Sequence, residues 1–428
     1  MSDAKVGRGR KEWERVQSKS RSHSRAIWLT ALALVSVMWV PTFAGSLAGI
    51  LNQWAYQELL INWQGGFVRR GLYGSAMVWL HEAAGVSGSM PTAIVFIVGT
   101  ILEIVLLFSL LWQYRASRLV LLQVAFSPVL LLFPVYDVGA FWRKELFLNI
   151  AILAHALIAR RCLEGRTSRE MYLVLLVFVL TPLLVVNTLI YEPQGFFLGV
   201  HLALSLSVLR STRPDDDEGD LFVYLAVGAA YVIALVPFLL SIVSSGGPEK
   251  SSAMFQAVDG WSGVVGSEAI DAHGGTLAES SALAGRIIDD PISSLVYLLA
   301  FLVGPVMLAL VVRSEREPDE EWPLPLWAFV PPVALFAIGW DYGRWIQMIA
   351  FAAVAYMLHF PARTRAFRPY SGRGPYAWAP PFLLATWVVL YVVAWHMPHC
   401  CTVTSPTSVE SGFLPLWSGI FTAVMQAF

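Results

Sequence analysis

Four short stretches of this chain carry residues able to do chemistry. The first is WQGGFVRRGLYG, residues 63–74, where the adjacent Arg69 and Arg70 offer forked donors suited to phosphate oxygens. The second is YDVGAFWRKELF, residues 136–147, with Asp137, Arg143, Lys144 and Glu145. The third is IYEPQGFF, residues 190–197, whose only charge is Glu192. The fourth is GWDYGRWIQ, residues 339–347, a DxxR unit of Asp341 and Arg344 among aromatic residues. Arg69, Arg70, Arg143, Lys144 and Arg344 would grip an anionic group, and Trp63 and Trp345 would supply stacking surface. Glu192, Asp341 and Asp137 are the carboxylates available for proton transfer. Glu192 sits on a very short connection between two apolar runs, so partial burial is expected to raise its pKa, as suits a general base. Each stretch also has a plainer reading. Arginines snorkel to lipid phosphates, charged helix ends make local salt bridges, and Asp-x-x-Arg pairs with itself at i, i+3.

What must position these residues is a membrane bundle. Of 428 residues, 57% are hydrophobic and 14% charged, and the mean hydropathy is +0.61. Soluble domains carry about a quarter charged residues. In lipid the backbone must satisfy its own hydrogen bonds, which leaves helix bundles or closed barrels. The apolar runs are continuous and of helix-spanning length rather than alternating, so the fold class is all-α, a polytopic transmembrane bundle of about 11–12 spans. The expected spans are 26–47, 91–112, 119–136, 146–159, 171–190, 195–209, 221–243, 292–312, 324–339, 346–360 and 380–396. Residues 412–428 form a further short apolar segment that spans or lies in the interface, and the short spans 146–159, 195–209, 324–339 and 346–360 either extend into their flanking motifs or are partly re-entrant.

Orientation follows from charge. Residues 1–25 form a basic arm followed by an uncleaved first helix, and the remainder, 26–428, reads as one membrane domain. Placing the N-terminus in the cytoplasm assigns 22 of the 29 Lys and Arg to cytoplasmic segments and 7 to the other side, as the positive-inside rule requires. The longer outer loops are 48–90 and 244–291. All four motifs then face outward. Five of the seven outer basic residues lie within three of these motifs, where the orientation rule disfavours them, and that points to function.

Other signals are weaker. His201 lies within an expected span, and Glu103 lies inside the second. Glu82 beside His81, His273, and the pair His396 and His399 near Cys400 and Cys401 complete the set; Cys162 is the third cysteine. No zinc or redox cysteine spacing is present, and no metal site is expected. P-loop, dinucleotide, HExxH and GxSxG motifs are absent, which removes the motif basis for ATP-driven, dehydrogenase, zinc-protease and serine-hydrolase readings. No internal repeat of the kind common in transporters is evident.

Cationic groups with carboxylates and aromatic rings, walled by apolar helices, suit a ligand with a phosphate, a sugar and a lipid tail. On GGFVRRG, FWRKE, YEPQGFF and WDYGRW, and on its topology, the chain resembles bacterial polytopic lipid-linked sugar transferases. These are GT-C-like glycosyltransferases or O-antigen/exopolysaccharide repeat-unit polymerases. The resemblance implies a membrane glycosyltransferase or glycan polymerase acting on a polyprenyl-(pyro)phosphate-linked sugar at the extracytoplasmic face of the bacterial inner membrane. It implies no cofactor, a lipid-linked glycan and the bilayer as partners, and no nucleic acid. It also implies an acidic residue early in the first outer loop, which here holds Glu58 and Glu82 while the tight motif carries arginines. The alternatives are a transporter or flippase for an anionic lipid or glycan, in which the same arginines bind without chemistry, and a structural subunit of an envelope assembly.

Overall fold

The computed structural model describes residues 3–360 except 48–52, 87, 115, 138–139, 213–219, 245, 262–263, 265–266, 273–284, 315–324 and 340, with side chains from Arg25 onward except at positions 53, 119, 220, 268, 272, 313 and 314. The expected spans 380–396 and 412–428 lie outside these residues, as do His273, Trp340, His396, His399, Cys400 and Cys401. Among the described residues the regular elements are helices and there is no strand. In chain order they are α1 (Asp3–Leu47), α2 (Gln53–Leu59), α3 (Gly71–Ala84), α4 (Ser89–Tyr114), α5 (Arg118–Ala125), α6 (Phe133–Tyr136) and α7 (Glu145–Leu163). After these come α8 (Arg169–Ile190), a 3₁₀ turn (Glu192–Phe197), α9 (Leu198–Ser211), α10 (Asp220–Val243), α11 (Pro248–Gln256) and α12 (Glu268–Ala272). The last three are α13 (Pro291–Val312), α14 (Leu326–Ile338) and α15 (Tyr342–His359).

Among the described residues, six helices are long and apolar enough to cross a membrane: Arg25–Leu47 of α1, α4, α7, α8, Leu221–Val243 of α10, and α13. The chain is a multi-pass, all-α membrane bundle. Expected span 346–360 lies in α15, while 119–136, 195–209 and 324–339 take a different form. The run 119–136 is not one helix. Its helix stops at Ala125, and Ser127–Pro128 begins a series of tight turns ending in the single turn of α6. Val129 through Tyr136 are nearly all buried, so this irregular backbone is enclosed by protein, which is the condition for it at membrane depth. Segment 195–209 starts as the 3₁₀ turn before α9, and α14 is a short helix interrupted by Pro331 and Pro332. Hydropathy reads all of these as spans because it registers burial, and burial in protein and in lipid look alike.

At the centre stands α15, buried on every face from Tyr342 to His359 and packed against α7 and α13. Its run of Gly and Ala (Gly343, Ala350, Ala352, Ala353, Ala355) lets neighbouring helices approach closely. Its far end is pinned by Arg160 of α7. That guanidinium donates to the carbonyls of Leu358 (2.7 Å), Phe360 (2.9 Å) and Gln113 (2.6 Å), filling orphan acceptors at and beyond the ends of α15 and α4. In α8 the ladder widens to a π-turn at Leu176–Leu180 just before Pro182, and Thr181 Oγ1 donates to the Leu176 carbonyl (2.8 Å).

The 3₁₀ turn that presents Glu192 packs onto α10 with Gly195 directly against the Phe238 ring, leaving no space for a Cβ. Gly195→Ala is therefore expected to lower the thermal midpoint of the protein in nanodiscs, by an overpacking cost of about 1–3 kcal/mol. Phe238→Ala introduced with it is expected to recover part of the loss. An unchanged midpoint for Gly195→Ala would contradict this packing.

Candidate functional site

The four motifs meet. Arg70 ends the first loop in the left-handed region (φ 63°) at the start of α3, an uncommon conformation for a non-glycine residue. From there its Nε donates to Glu192 Oε2 (2.6 Å) and its Nη1 to Glu58 Oε1 (2.9 Å). The other oxygen of Glu58 accepts from Arg143 Nη1. Lys144 Nζ, almost wholly buried, donates to the backbone carbonyls of Glu58 (2.9 Å) and Arg70 (3.2 Å), tying α2, the arginine loop and the head of α7 together. Trp142, just before this pair, also has positive φ (64°). Backbone strain thus sits at both arginine motifs.

Arg344, on the first turn of α15, pairs with Glu145 Oε1 (2.9 Å) and with its own neighbour Asp341. Tyr191 joins the two halves. Its hydroxyl donates to Glu145 Oε1 (2.8 Å), and the Arg70 guanidinium lies 5.3 Å above its ring. Arg69 stands at the edge of the cluster, its side chain 23% exposed and its contact with Glu192 loose at 3.7 Å. Five basic residues (Arg69, Arg70, Arg143, Lys144, Arg344) thus face four carboxylates (Glu58, Glu145, Glu192, Asp341). Buried charges persist only when so matched.

Electrostatics corrects one expectation. Burial alone would raise the Glu192 carboxyl, but the Arg70 and Arg69 charges and the Arg70 hydrogen bond outweigh it and hold it down at about 2. A carboxylate held there is a poor proton acceptor at neutral pH, so Glu192 serves to anchor two guanidiniums. Burial pulls Lys144 down to about 7, against the opposing pull of Glu58.

The other expected site residues are placed differently. Asp137 is buried at the end of α6, and with Asp341 it lies within electrostatic range of Tyr297. Trp63 braces its own loop: its indole donates to the Val68 carbonyl (2.9 Å), stacks near Phe67 and fills the space above Gly71, where a Cβ would collide. Trp345 packs with Phe336 and Tyr342 and against Gly339. Neither ring stands on the ion cluster as a stacking platform. Glu82 is exposed on α3, away from these ion pairs.

Beyond the expected site residues, the cluster includes Glu58, Glu145 and Tyr191, and a separate polar chain includes His155. Glu58 lies in WAYQELLI, where its signals are a lone acid in an apolar run and its place in the first outer loop. Glu145 and Tyr191 adjoin motif residues. His155 is a lone histidine inside an apolar helix. Among the described residues, no group of three or more His, Cys, Asp or Glu side chains is placed to hold a metal ion. Beside the cluster, between α1, α4 and α7, lies a hollow lined by Arg143 and Glu145 together with Trp39, Glu103, Asn149 and Gln347.

Compared with family models, curated proteins and solved structures, the chain matches none.

Because the folded pKa of Glu192 is depressed from an unfolded value near 4.5, its contribution to stability is fully present above pH 4.5 and is lost as pH falls toward 2. Thermal melts in nanodiscs between those limits are expected to show a falling midpoint for the wild type. The Glu192→Gln variant starts lower and declines less. Parallel declines in the two proteins would contradict the pairing.

Proposed function

We propose that the chain is a membrane glycosyltransferase or glycan polymerase that acts on a polyprenyl-(pyro)phosphate-linked sugar at the extracytoplasmic face of a bacterial inner membrane. The observation that carries this reading is the convergence of motifs about 275 residues apart, from Arg69 to Arg344, on one charged cluster at one end of an otherwise apolar bundle. A ligand meeting that cluster from the bilayer would present its phosphate to guanidiniums and keep its tail among apolar helices. Arg69 is the natural first contact, because it is the least buried of these arginines and holds its carboxylate least tightly. A departing phosphate gains charge, which arginine donors stabilise. Glu58, in the first outer loop, also stands where the resemblance to lipid-linked sugar transferases expects an acid.

A second reading, a transporter or flippase for an anionic lipid or glycan, draws on a different observation. A chain of polar groups runs through the helices from the motif end. Gln194 Nε2 meets His201 Nε2 (3.1 Å), His201 Nδ1 meets His155 Nδ1 (2.9 Å), and His155 Nε2 meets the Tyr172 hydroxyl (2.9 Å). Ser205 and Tyr231 continue it at 2.9 Å each. Since an amide nitrogen only donates, His201 accepts at Nε2 and donates at Nδ1, and the donors then point one way along the chain. Buried polar chains of this kind also mark ion pathways.

The two readings part in a reconstituted assay. Protein in nanodiscs, given a polyprenyl-pyrophosphate-linked oligosaccharide and a hydroxyl acceptor, is expected to extend the glycan. Arg69→Ala is expected to lower kcat/KM by about 100-fold while leaving the melting temperature within a degree or so, since Arg69 is peripheral to the ion network. Absence of extension, together with Arg69-dependent movement of the lipid across proteoliposomes, would replace the enzyme reading with the transporter.

A further inference from the structure

The hollow beside the ion cluster has a chemistry of its own. Its floor is set by sequence spacing. Phe96, Thr100 and Glu103 share one face of α4, and Glu145 and Asn149, four apart, share one face of α7. Asn149 Nδ2 donates to Glu103 Oε1 (2.8 Å), which fixes both side chains about one helical turn beneath Glu145. Trp39 of α1 closes the side, with Phe141 and Trp142.

Three buried polar atoms on residues that line this hollow have no hydrogen-bond partner among the described residues: Trp39 Nε1, Asn149 Oδ1 and Glu145 Oε2. Their residues are 1%, 2% and 3% exposed. Leaving a buried polar group unmatched is costly, so three around one space point to a polar ligand atom that they share. One of the three is a donor and two are acceptors. An anion could accept from the indole but would face Glu103, Glu145 and the amide oxygen. A cation would face the indole N–H and Arg143. A neutral hydroxylic oxygen suits the mixture: it accepts from the indole, water with two hydrogens meets both acceptors, and an alcohol with one hydrogen meets a single acceptor. Size agrees: the space free to a guest is about 20 Å³ within a wider recess of about 310 Å³. About 10–15 Å³ admits one water-sized oxygen.

We propose that this hollow seats the acceptor hydroxyl of the transfer reaction and that Glu103 receives its proton. The proposal rests on the sugar-transfer reading above. Glu103 is 5% exposed and, unlike Glu58, Glu145, Glu192 and Asp341, has no arginine or lysine paired with it among the described residues. Its carboxylate therefore lacks the ion-paired guanidinium that makes Glu192 a poor proton acceptor. In the step, the acceptor O–H bond breaks and its proton passes to Glu103. The acceptor oxygen bonds to the anomeric carbon of the lipid-linked sugar. The bond from that carbon to the phosphate oxygen breaks, and its electron pair leaves with the phosphate, toward Arg69. Glu103 returns the proton to solvent before the next turnover.

Two measurements on the full chain test this. In the transfer assay, Glu103→Gln is expected to reduce kcat at least 100-fold with the donor KM within about twofold, and Glu103→Asp to restore part of the rate. A wild-type rate in Glu103→Gln overturns the proposal, as does a loss confined to donor KM. An experimental structure of the unliganded protein that resolves waters supplies the second, which needs no turnover. One ordered water within hydrogen-bond reach of Trp39 Nε1 and Asn149 Oδ1 is expected there, and its loss in Asn149→Leu. A dry hollow, or a cation held by Glu103 and Glu145, overturns the assignment. If the wild type transfers no sugar but the water is present, the transfer reading fails while the hydroxyl-sized site stands. If the wild type transfers sugar and Glu103→Gln does so equally, the transfer reading stands and Glu103 is excluded.

Discussion

The structure depends on one carboxylate shared by two arginines. Glu58, almost wholly buried, accepts Arg70 on one oxygen and Arg143 on the other, while its backbone carbonyl accepts Lys144. Two segments 12 residues apart and a third 85 residues from Glu58 are thereby fixed in one register at the end of an apolar bundle. Removing one member of a buried pair costs about 3–5 kcal/mol, because the survivor stays charged and unmatched. The remaining contacts follow from this knot. Arg70, once held, positions Glu192 and lies over Tyr191, and Tyr191 reaches Glu145, which receives Arg344 from the central helix.

This arrangement explains why basic residues stand at the end of the bundle where charge counting disfavours them. They are matched almost one for one by acids, so the cluster carries little net charge. Arg69 is the exception in character, being the most exposed of them and loosely paired. The same matching reverses the simplest expectation for Glu192. Burial and ion pairing oppose each other at that carboxylate, and with two guanidiniums in reach the pairing wins. On the reading proposed above, proton transfer falls to Glu103, held by Asn149 under the cluster and without an ion-paired arginine or lysine among the described residues.

Much of the fold was legible because apolar length is a direct signal: the six long helices match runs visible in the residues. The run 119–136 was misread as one span because hydropathy does not separate a helix facing lipid from chain enclosed by protein; there Ser127 and Pro128 end the helix. Arg69, Arg70, Arg143, Glu192 and Arg344 were legible as charges where the environment opposes charge, and they do gather. Glu58 was not, because nothing in WAYQELLI says which side chain a distant arginine will reach. Trp63 and Trp345 were misjudged for a related reason. An aromatic ring beside a charge is as useful for bracing a loop or a helix start as for stacking on a ligand, and the contacts with Gly71 and Gly339 decide for bracing.

A double-mutant cycle on Glu58 and Arg143 tests the shared-carboxylate account most directly. Glu58→Gln, Arg143→Met and the combined variant would be compared by unfolding in nanodiscs. The account predicts strong non-additivity, with a coupling of about 1–3 kcal/mol and a combined variant no less stable than the worse single one. Losses that simply add would mean that the two side chains do not meet, and the knot at the head of the bundle would not exist.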